Sequence, residues 1–482
     1  MMRTTQPGSR SAVATTASQD RTAETARTLR LGGPLALGEL GWMSTYIVDS
    51  AMIGHMPHSA LGLAASSLGN TIFYAIVFCA IRFMTGLETL AAQSFGRGTQ
   101  EGREESVHLL AQTLLLVGVS TPIVMLLTLA AIPLLRHLGI SPEIVGSTSA
   151  YLHSLVWSTA PLLLYMATRR YLQSVNHVVL IAVSLLTANL VNAVGDYAFL
   201  FGHFGVHAMG LAGSGWATCV VRVYMLGLLA VGFLLTSRKL HTRLSLRQLR
   251  PSPWRLGLLW RIGWPDALEN ITDLGFSTYM SIVCARLGST LLAAHNIVLE
   301  IDAFVYMVPL GLSYATIVRV GQAAGGGSLV RVQRAANVSF ALGLGYILVA
   351  SLLFAGFPHY WTSRYTNDAA VIAAAAPIFL ICGFLQLGDT ANVLFSAALT
   401  GLGDTRTPFL ANTVLYWVVG MPLSYFLAFH TSFALKGLWL GRGVAAVLTG
   451  AVMALVWQQR IRHATGDRQA SGLTLLRPMH AE

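Results

Sequence analysis

Twelve stretches of about twenty mostly apolar residues, each the length a helix needs to cross a hydrocarbon core, run through this chain. They fall near residues 33–56, 66–87, 108–135, 149–172, 178–202, 209–236, 258–285, 291–318, 335–357, 370–399, 408–430 and 437–460. A backbone inside lipid must satisfy its own hydrogen bonds, so each stretch is read as a spanning α-helix. The expected fold is an all-α integral membrane protein with twelve transmembrane helices. A mean hydropathy of +0.61 and 11% charged residues over 482 positions agree, because a soluble chain of this length needs far more surface charge.

The net charge of +11 would suggest nucleic acid for a soluble protein; here the placement of the basic residues reports topology instead, and no nucleic-acid partner is expected. With both termini in the cytoplasm of a cell's inner (plasma) membrane, Arg136, Arg286, Arg364 and Lys436 fall near the outer ends and Arg82, Arg222 and Arg442 within spans. Every other Lys and Arg is then cytoplasmic. Arg238, Lys239, Arg243, Arg247, Arg250 and Arg255 cluster at one point, so residues 237–256 read as a basic loop between an N-lobe (31–236) and a C-lobe (257–462) of six helices each. Residues 1–30 and 463–482 are polar, rich in small residues and Arg, and read as disordered cytoplasmic tails. Cys79, Cys219, Cys284 and Cys382 lie in apolar runs without metal or disulfide spacing and read as packing residues. His295 and the other histidines show no ligand spacing either.

The two halves resemble each other. Ala64 and Ala65 match Ala293 and Ala294, and AQSFGRG (92–98) matches GQAAGGG (321–327), both 229 residues apart; Leu172 in RRYLQS matches Leu399 in AALTGLGD, 227 apart. Six helices per repeat is an even number, so the copies share one orientation and are related by a pseudo-two-fold axis along the membrane normal. A cleft between lobes follows.

Several carboxylates interrupt the apolar runs. Such groups usually face a water-filled cavity and handle ions or charged solutes. Asp49 lies in YIVDSAMIG; Asp196 follows Asn192 at the i, i+4 spacing that puts both on one helix face. Asp266, Glu269 and Asp273 recur at three and four residues in GWPDALENITD, forming one acidic stripe. Asp389, Glu300 and Asp302 complete the set. Bland readings stand beside these: an acid satisfied by a neighbouring hydroxyl, a stripe end that complements the helix dipole at Asp266, a turn residue at Asp404 beside Gly403. Arg222 and Arg442 are candidate counter-charges. Phe276, Tyr279, Met280, Phe304, Tyr306 and Met307 fit either an adaptable binding wall or core packing. Gly325–Gly327 has no Lys-Ser/Thr after it and reads as a loop.

Over roughly residues 33–460 the chain resembles the multidrug and toxic compound extrusion (MATE) transporters. The motifs are VDSAMIGHMPHSALGLAASS (48–67), GLETLAAQSFGRG (86–98), RLGSTLLAAHN (286–296), RVGQAAG (319–325) and GLGDTRTP (401–408). The resemblance implies a two-lobe antiporter that exports organic cations or other amphiphilic drugs or metabolites against protons or sodium ions, without an organic cofactor and as a monomer in the bilayer. It also implies roles. Asp49 matches the N-lobe coupling acid, and the Asn192–Asp196 pair is similar to DinF-type members. Asp273, eighth after the proline of Gly-x-Pro, stands where the family usually has Glu, and Asp389, fifteen before Asp404, stands where NorM-type members carry an acid. Glu269 and Glu300 join these as expected cation-coupling and substrate-binding residues, and a sodium site at Asp273 and Asp389 is one form this would take. A flippase for lipid-linked oligosaccharides shares the architecture, but its central cavity is usually cationic. A membrane enzyme would need a nucleophile or metal constellation, and a channel would not need paired lobes.

Overall fold

In the computed structural model the backbone is described over residues 8–137 and 139–471, and side chains over 20–465 apart from position 138. Twelve long helices appear: α1 (Gly8–Gly54), α2 (Ser59–Gly96), α3 (Gln100–His137), α4 (142–174), α5 (Val179–Phe199), α6 (Leu211–Leu240), α7 (Pro253–Leu287), α8 (Ser289–Gly325), α9 (Leu329–Gly356), α10 (Ala369–Gly401), α11 (Arg406–Phe429) and α12 (Leu435–Ser471). A short helix, Pro358–Ser363, precedes α10, and no strand occurs among the described residues. Among the described residues, nine helices are long and apolar enough to span by composition alone. The other three, α1, α4 and α7, carry Glu39 and Asp49, Arg169 and Arg170, and the Asp266–Asp273 stripe.

Prolines explain the irregular turns. A proline lacks the N–H that its helix needs and crowds the carbonyl four residues back. Helix α4 is broken by a 3₁₀ turn at Val156–Ser158 just before Pro161, and α11 widens into a π turn at Leu415–Gly420 just before Pro422. Outward faces present bare apolar side chains such as Leu126, Leu190, Leu352 and Phe384, an exposure that suits a lipid solvent.

The tail expectations change where the residues are described. Residues 8–30 extend α1 as helix. Glu24, Thr28, Leu31 and Leu35 form a buried stripe at helical spacing, and Glu24 accepts two hydrogen bonds from Arg319 at 2.9 and 2.8 Å, while Asp20 pairs with Arg334 at 2.8 Å. A polar segment that looks disordered alone is thus fixed by partners on α8 and α9, because helix stability comes mostly from tertiary packing. At the other end, α12 continues to Ser471, and residues 472–482 lie outside the described set, as do 1–7.

The repeat is visible as a reciprocal crossing. Gly96 packs so closely on the Gln322 backbone that a Cβ would not fit, and Gly325 packs in the same way on Gln93. Residues 93 and 322, and 96 and 325, are repeat mates 229 apart. Contact of i with j and of j with i is the signature of a two-fold relation. The hydrogen bonds follow the same rule: Gln93 Nε2 donates to Gly401 O at 2.9 Å, and Gln322 Nε2 donates to Ser174 O at 2.8 Å. Gly401 and Ser174 are 227 apart, the offset of the Leu172–Leu399 match.

These contacts lie at the end of the bundle that carries the described ends of α1 and α12 and the 241–252 connection, here called the terminal face. Hydrogen bonds between the lobes gather in this half, Gln93 with Gly401 and Gln322 with Ser174 and Asn176, and the start of α1 and the 241–252 connection are held there too, Glu24 by Arg319 and the carbonyls of Gln248 and Arg250 by Gln112. The lobes are closed on each other there. The four cysteines are free; three are buried and Cys79 is half-buried.

Candidate functional site

A cavity of about 370 Å³ lies between the lobes, walled chiefly by the C-lobe. Helix α7 supplies Asp266, Glu269 and Asp273 on one face, α8 supplies Asp302 and Tyr306, α10 Asp389, α11 Asn412 and Tyr416, α12 Arg442, while α2 and α4 of the N-lobe add Arg82 and Arg170. The predicted stripe on α7 does face a common space.

Its members differ in what they touch. Asp389 is held at both oxygens, by Tyr416 Oη at 2.9 Å and by Arg442 at 2.9 Å. Arg442 also approaches Asp302 at 4.0 Å, and Asp302 accepts from Gln386 at 2.6 Å and from the Cys382 thiol at 3.0 Å. Glu269 accepts from Asn412 at 2.7 Å. Asp266 accepts from Arg82 at 3.3 Å and from the Thr85 hydroxyl. Asp273 is exposed to the cavity and makes no hydrogen bond or ion pair with a described residue. Five carboxylates therefore share two guanidiniums, since Arg170 is committed elsewhere. In a low-dielectric setting such an excess of acid attracts cations strongly.

The π turn of α11 carries Tyr416 to Asp389, so the Pro422 irregularity positions a site residue; π turns are common at functional sites. Phe276, Met280 and Tyr306 line the cavity, whereas Tyr279, Phe304 and Met307 do not. Among the described residues no cluster of three or more His, Cys, Asp or Glu is placed to hold a metal. His295 is buried and accepts a hydrogen bond from Trp439 at 3.2 Å.

A second acid pair sits in the N-lobe. Asn192 Nδ2 donates to Asp49 and, at 3.2 Å, to Asp196, so one amide bridges acids from α1 and α5 at the spacing expected. Asn192 and Asp196 are fully buried, and Asp196 Oδ1 has no hydrogen-bond partner among the described residues. Among the described residues Arg222 makes no hydrogen bond or ion pair with either acid: it donates to Ser158 and to Tyr74 at 3.2 Å and lies over the Phe73 ring at 4.9 Å.

Two expectations fail on geometry. Glu300 is exposed and outside the cavity lining; at 100° per residue it points away from Asp302, which does line the cavity. Arg169 and Arg170, counted from sequence with the cytoplasmic charges, are buried in ion pairs with Glu39 and Glu88. Tyr314 of α8 lies over both, 5.7 and 4.8 Å from its ring. Sequence reasoning missed this network. Two acids and two arginines within apolar runs, balancing to zero, was the available signal. Asp404 is the turn residue expected, accepting from Thr407 N at 3.1 Å and from Arg460 at 2.7 Å.

Comparison with known proteins follows this geometry. The MatE family model matches residues 34–198 and 265–426. A probable multidrug resistance protein NorM of Rhizobium meliloti is 32% identical over 437 residues, covering 89% of this chain and 92% of its own. Another from Xanthomonas axonopodis pv. citri is 31% identical, covering 90% and 93%. Among solved structures, a Vibrio cholerae MATE transporter superposes with a TM-score of 0.84 at 17% identity, covering 92% and 98%. An outward-facing multidrug resistance MATE family transporter of the MOP superfamily gives 0.83 at 19% identity, covering 91% and 96%; such distant likenesses speak to the fold. The twelve helices, the repeated lobes and the matches along most of its length make this chain a multi-pass membrane transporter that belongs to the MatE family.

Proposed function

We propose that the protein is a secondary antiporter that exports organic cations or other amphiphilic small molecules by alternating access, in exchange for protons or sodium ions. The observation that carries this is the Asp273 carboxylate, open to an acid-rich cavity and with no hydrogen bond or ion pair to any described residue. Proton or sodium and a cationic solute compete for such a group, and that competition couples their movements. Glu269 and Asp389 share the C-lobe site, with Asp389 acting beside Arg442. Asp49, Asn192 and Asp196 form a second cation site in the N-lobe. The excess of acid favours a cationic cargo over the phosphate-bearing cargo of a flippase.

The lobes, residues 31–236 and 257–462, move largely as units about the 237–256 connection. The clustering of basic residues there supports a terminal face on the cytoplasmic side of the inner (plasma) membrane, and the protein works as a monomer. The state described is then closed to the cytoplasm. One inward elementary charge releases about 2.3 kcal/mol per 100 mV, and a tenfold uphill gradient costs about 1.4 kcal/mol, so one coupling ion is sufficient.

Efflux of a fluorescent organic cation from cells expressing wild type or Asp273→Asn, with proton and sodium gradients imposed separately, tests the reading. We expect efflux driven by one gradient in the wild type and lost in the variant at equal membrane expression. Undiminished efflux in the variant would remove Asp273 from the mechanism and move the site to Asp49 and Asp196.

A further inference from the structure

Arg82 occupies an unusual position. It belongs to α2 in the N-lobe, yet its partner Asp266 opens the acidic stripe of α7 in the C-lobe, 3.3 Å away, with Thr85 as a second donor to the same carboxylate. Both line the cavity. The Arg82 side chain remains 37% exposed and that of Asp266 14%, so this pair is open to the cavity on the arginine's side. The other two cavity arginines are held more tightly: Arg170 is buried against Glu88 and Tyr314, and Arg442 is enclosed by Asp389, Asp302 and Trp439.

The fold itself does not require a charge here, as the repeat demonstrates. The mate of Arg82 at the 229 offset is Gly311. Gly32-Gly33-Pro34 of α1 aligns with Gly263-Trp264-Pro265 of α7, giving Asp266 the mate Leu35. At that crossing Gly311 packs directly on the Ala36 backbone and Leu35 is fully buried. One copy of the crossing is apolar and sealed. The other, beside the cavity, replaces glycine and leucine by arginine and aspartate.

Backbone contacts flank the charged crossing as well, Gly86 on Leu259 and Gly263 on Phe83, so the pair exists only while α2 and α7 are closed together. Parting the lobes at the terminal face must break it. From Asp266 the stripe climbs through Glu269 to Asp273, about 10 Å along the helix axis. A cation reaching Asp273 from the terminal face passes Asp266 first. We propose, building on the antiporter reading above, that Arg82 is a tethered competitor of the transported cation. It occupies Asp266 while the terminal face is closed and yields that carboxylate to a cationic group of the cargo when the lobes part there. Arg82 thereby biases the resting state and raises the charge selectivity of the entrance.

Two measurements on purified protein in lipid nanodiscs test this. The first is equilibrium binding of tetraphenylphosphonium. The second is the distance distribution between spin labels at Arg97→Cys and Val330→Cys, which lie on opposite lobes at the terminal face. In Arg82→Gln, which keeps length and hydrogen bonding, we expect the cation to bind tighter by about fivefold, the ratio a partly exposed ion pair corresponds to, and the distribution to gain a longer, open component. Asp266→Asn should open the face equally but without tighter binding. The exchange Arg82→Asp with Asp266→Arg should restore the closed distance, which also guards against misfolding of a single variant. Unchanged or weaker binding in Arg82→Gln overturns the competitor role, and an unchanged distance distribution overturns the clamp. Should the wild type bind no cation, the export reading fails by itself, and the distance measurement alone decides whether the clamp stands.

Discussion

Outside its buried Glu39–Arg169 and Glu88–Arg170 pairs, the N-lobe holds the acids of its candidate site by other means than the C-lobe does. In the N-lobe, Asp49 and Asp196 share one amide from Asn192, and among the described residues no guanidinium forms an ion pair with either. In the C-lobe, Arg442 ties Asp389 to Asp302, Arg82 ties Asp266 across the interface, and Asp273 alone is left free. The N-lobe acid pair is organised by one shared amide; the C-lobe instead has a scaffold of paired charges around one carboxylate open to the cavity. The difference teaches that equal substitutions in the two lobes test different things, because removing half of a buried ion pair strands the other half.

The largest effect expected is on stability. Asp389→Asn leaves Arg442 with the 4.0 Å contact to Asp302 and the face of Trp439, and the folded state should lose about 2 kcal/mol, between the values for a surface pair and a fully buried one. Thermal unfolding of the purified protein reads this, and adding Arg442→Gln should recover most of it. If Asp389→Asn unfolds like the wild type, the scaffold description of the C-lobe is wrong. Lost efflux in Asp389→Asn alone therefore says little about coupling.

Asp273→Asn provides the contrast. It removes a carboxylate with no partner, so stability should stay within about 0.5 kcal/mol of the wild type while cation efflux disappears. In the N-lobe, Asp196→Asn exchanges a fully buried, partly unsatisfied carboxylate for a neutral amide, and unfolding should become harder by about 1 kcal/mol. A destabilised Asp196→Asn would mean that the pair has a counter-charge after all and that the lobes are more alike than described. The smallest effect belongs to Glu300→Gln. Outside the cavity, it should leave efflux within about twofold of wild type, and a larger loss would return Glu300 to the site.

Much of the candidate site was legible in the chain. The Asp266–Glu269–Asp273 stripe and the Asn192–Asp196 spacing follow from helical periodicity, which fixes residues three and four apart on one face. Glu300 and Asp302 were not separable in this way until one of them was seen to line a cavity. The pairing of Arg442 with Asp389, of Arg82 with Asp266 and of Arg169 and Arg170 with Glu39 and Glu88 joins residues up to 184 positions apart, and no local period encodes a partner on another helix.

The sequence by itself determined the helices, their number and the two-fold repeat, because lipid forces every apolar run to satisfy its own backbone and a duplicated pattern folds twice in the same way. Tertiary structure alone decided where each charge finds its partner, and that residues 20–31 dock as helix against α8 and α9. It also decided that one of two equivalent crossings is sealed by Gly311 while the other is held by an ion pair. Those outcomes depend on which faces meet when the lobes close, and burial, unlike periodicity, belongs to the assembled bundle.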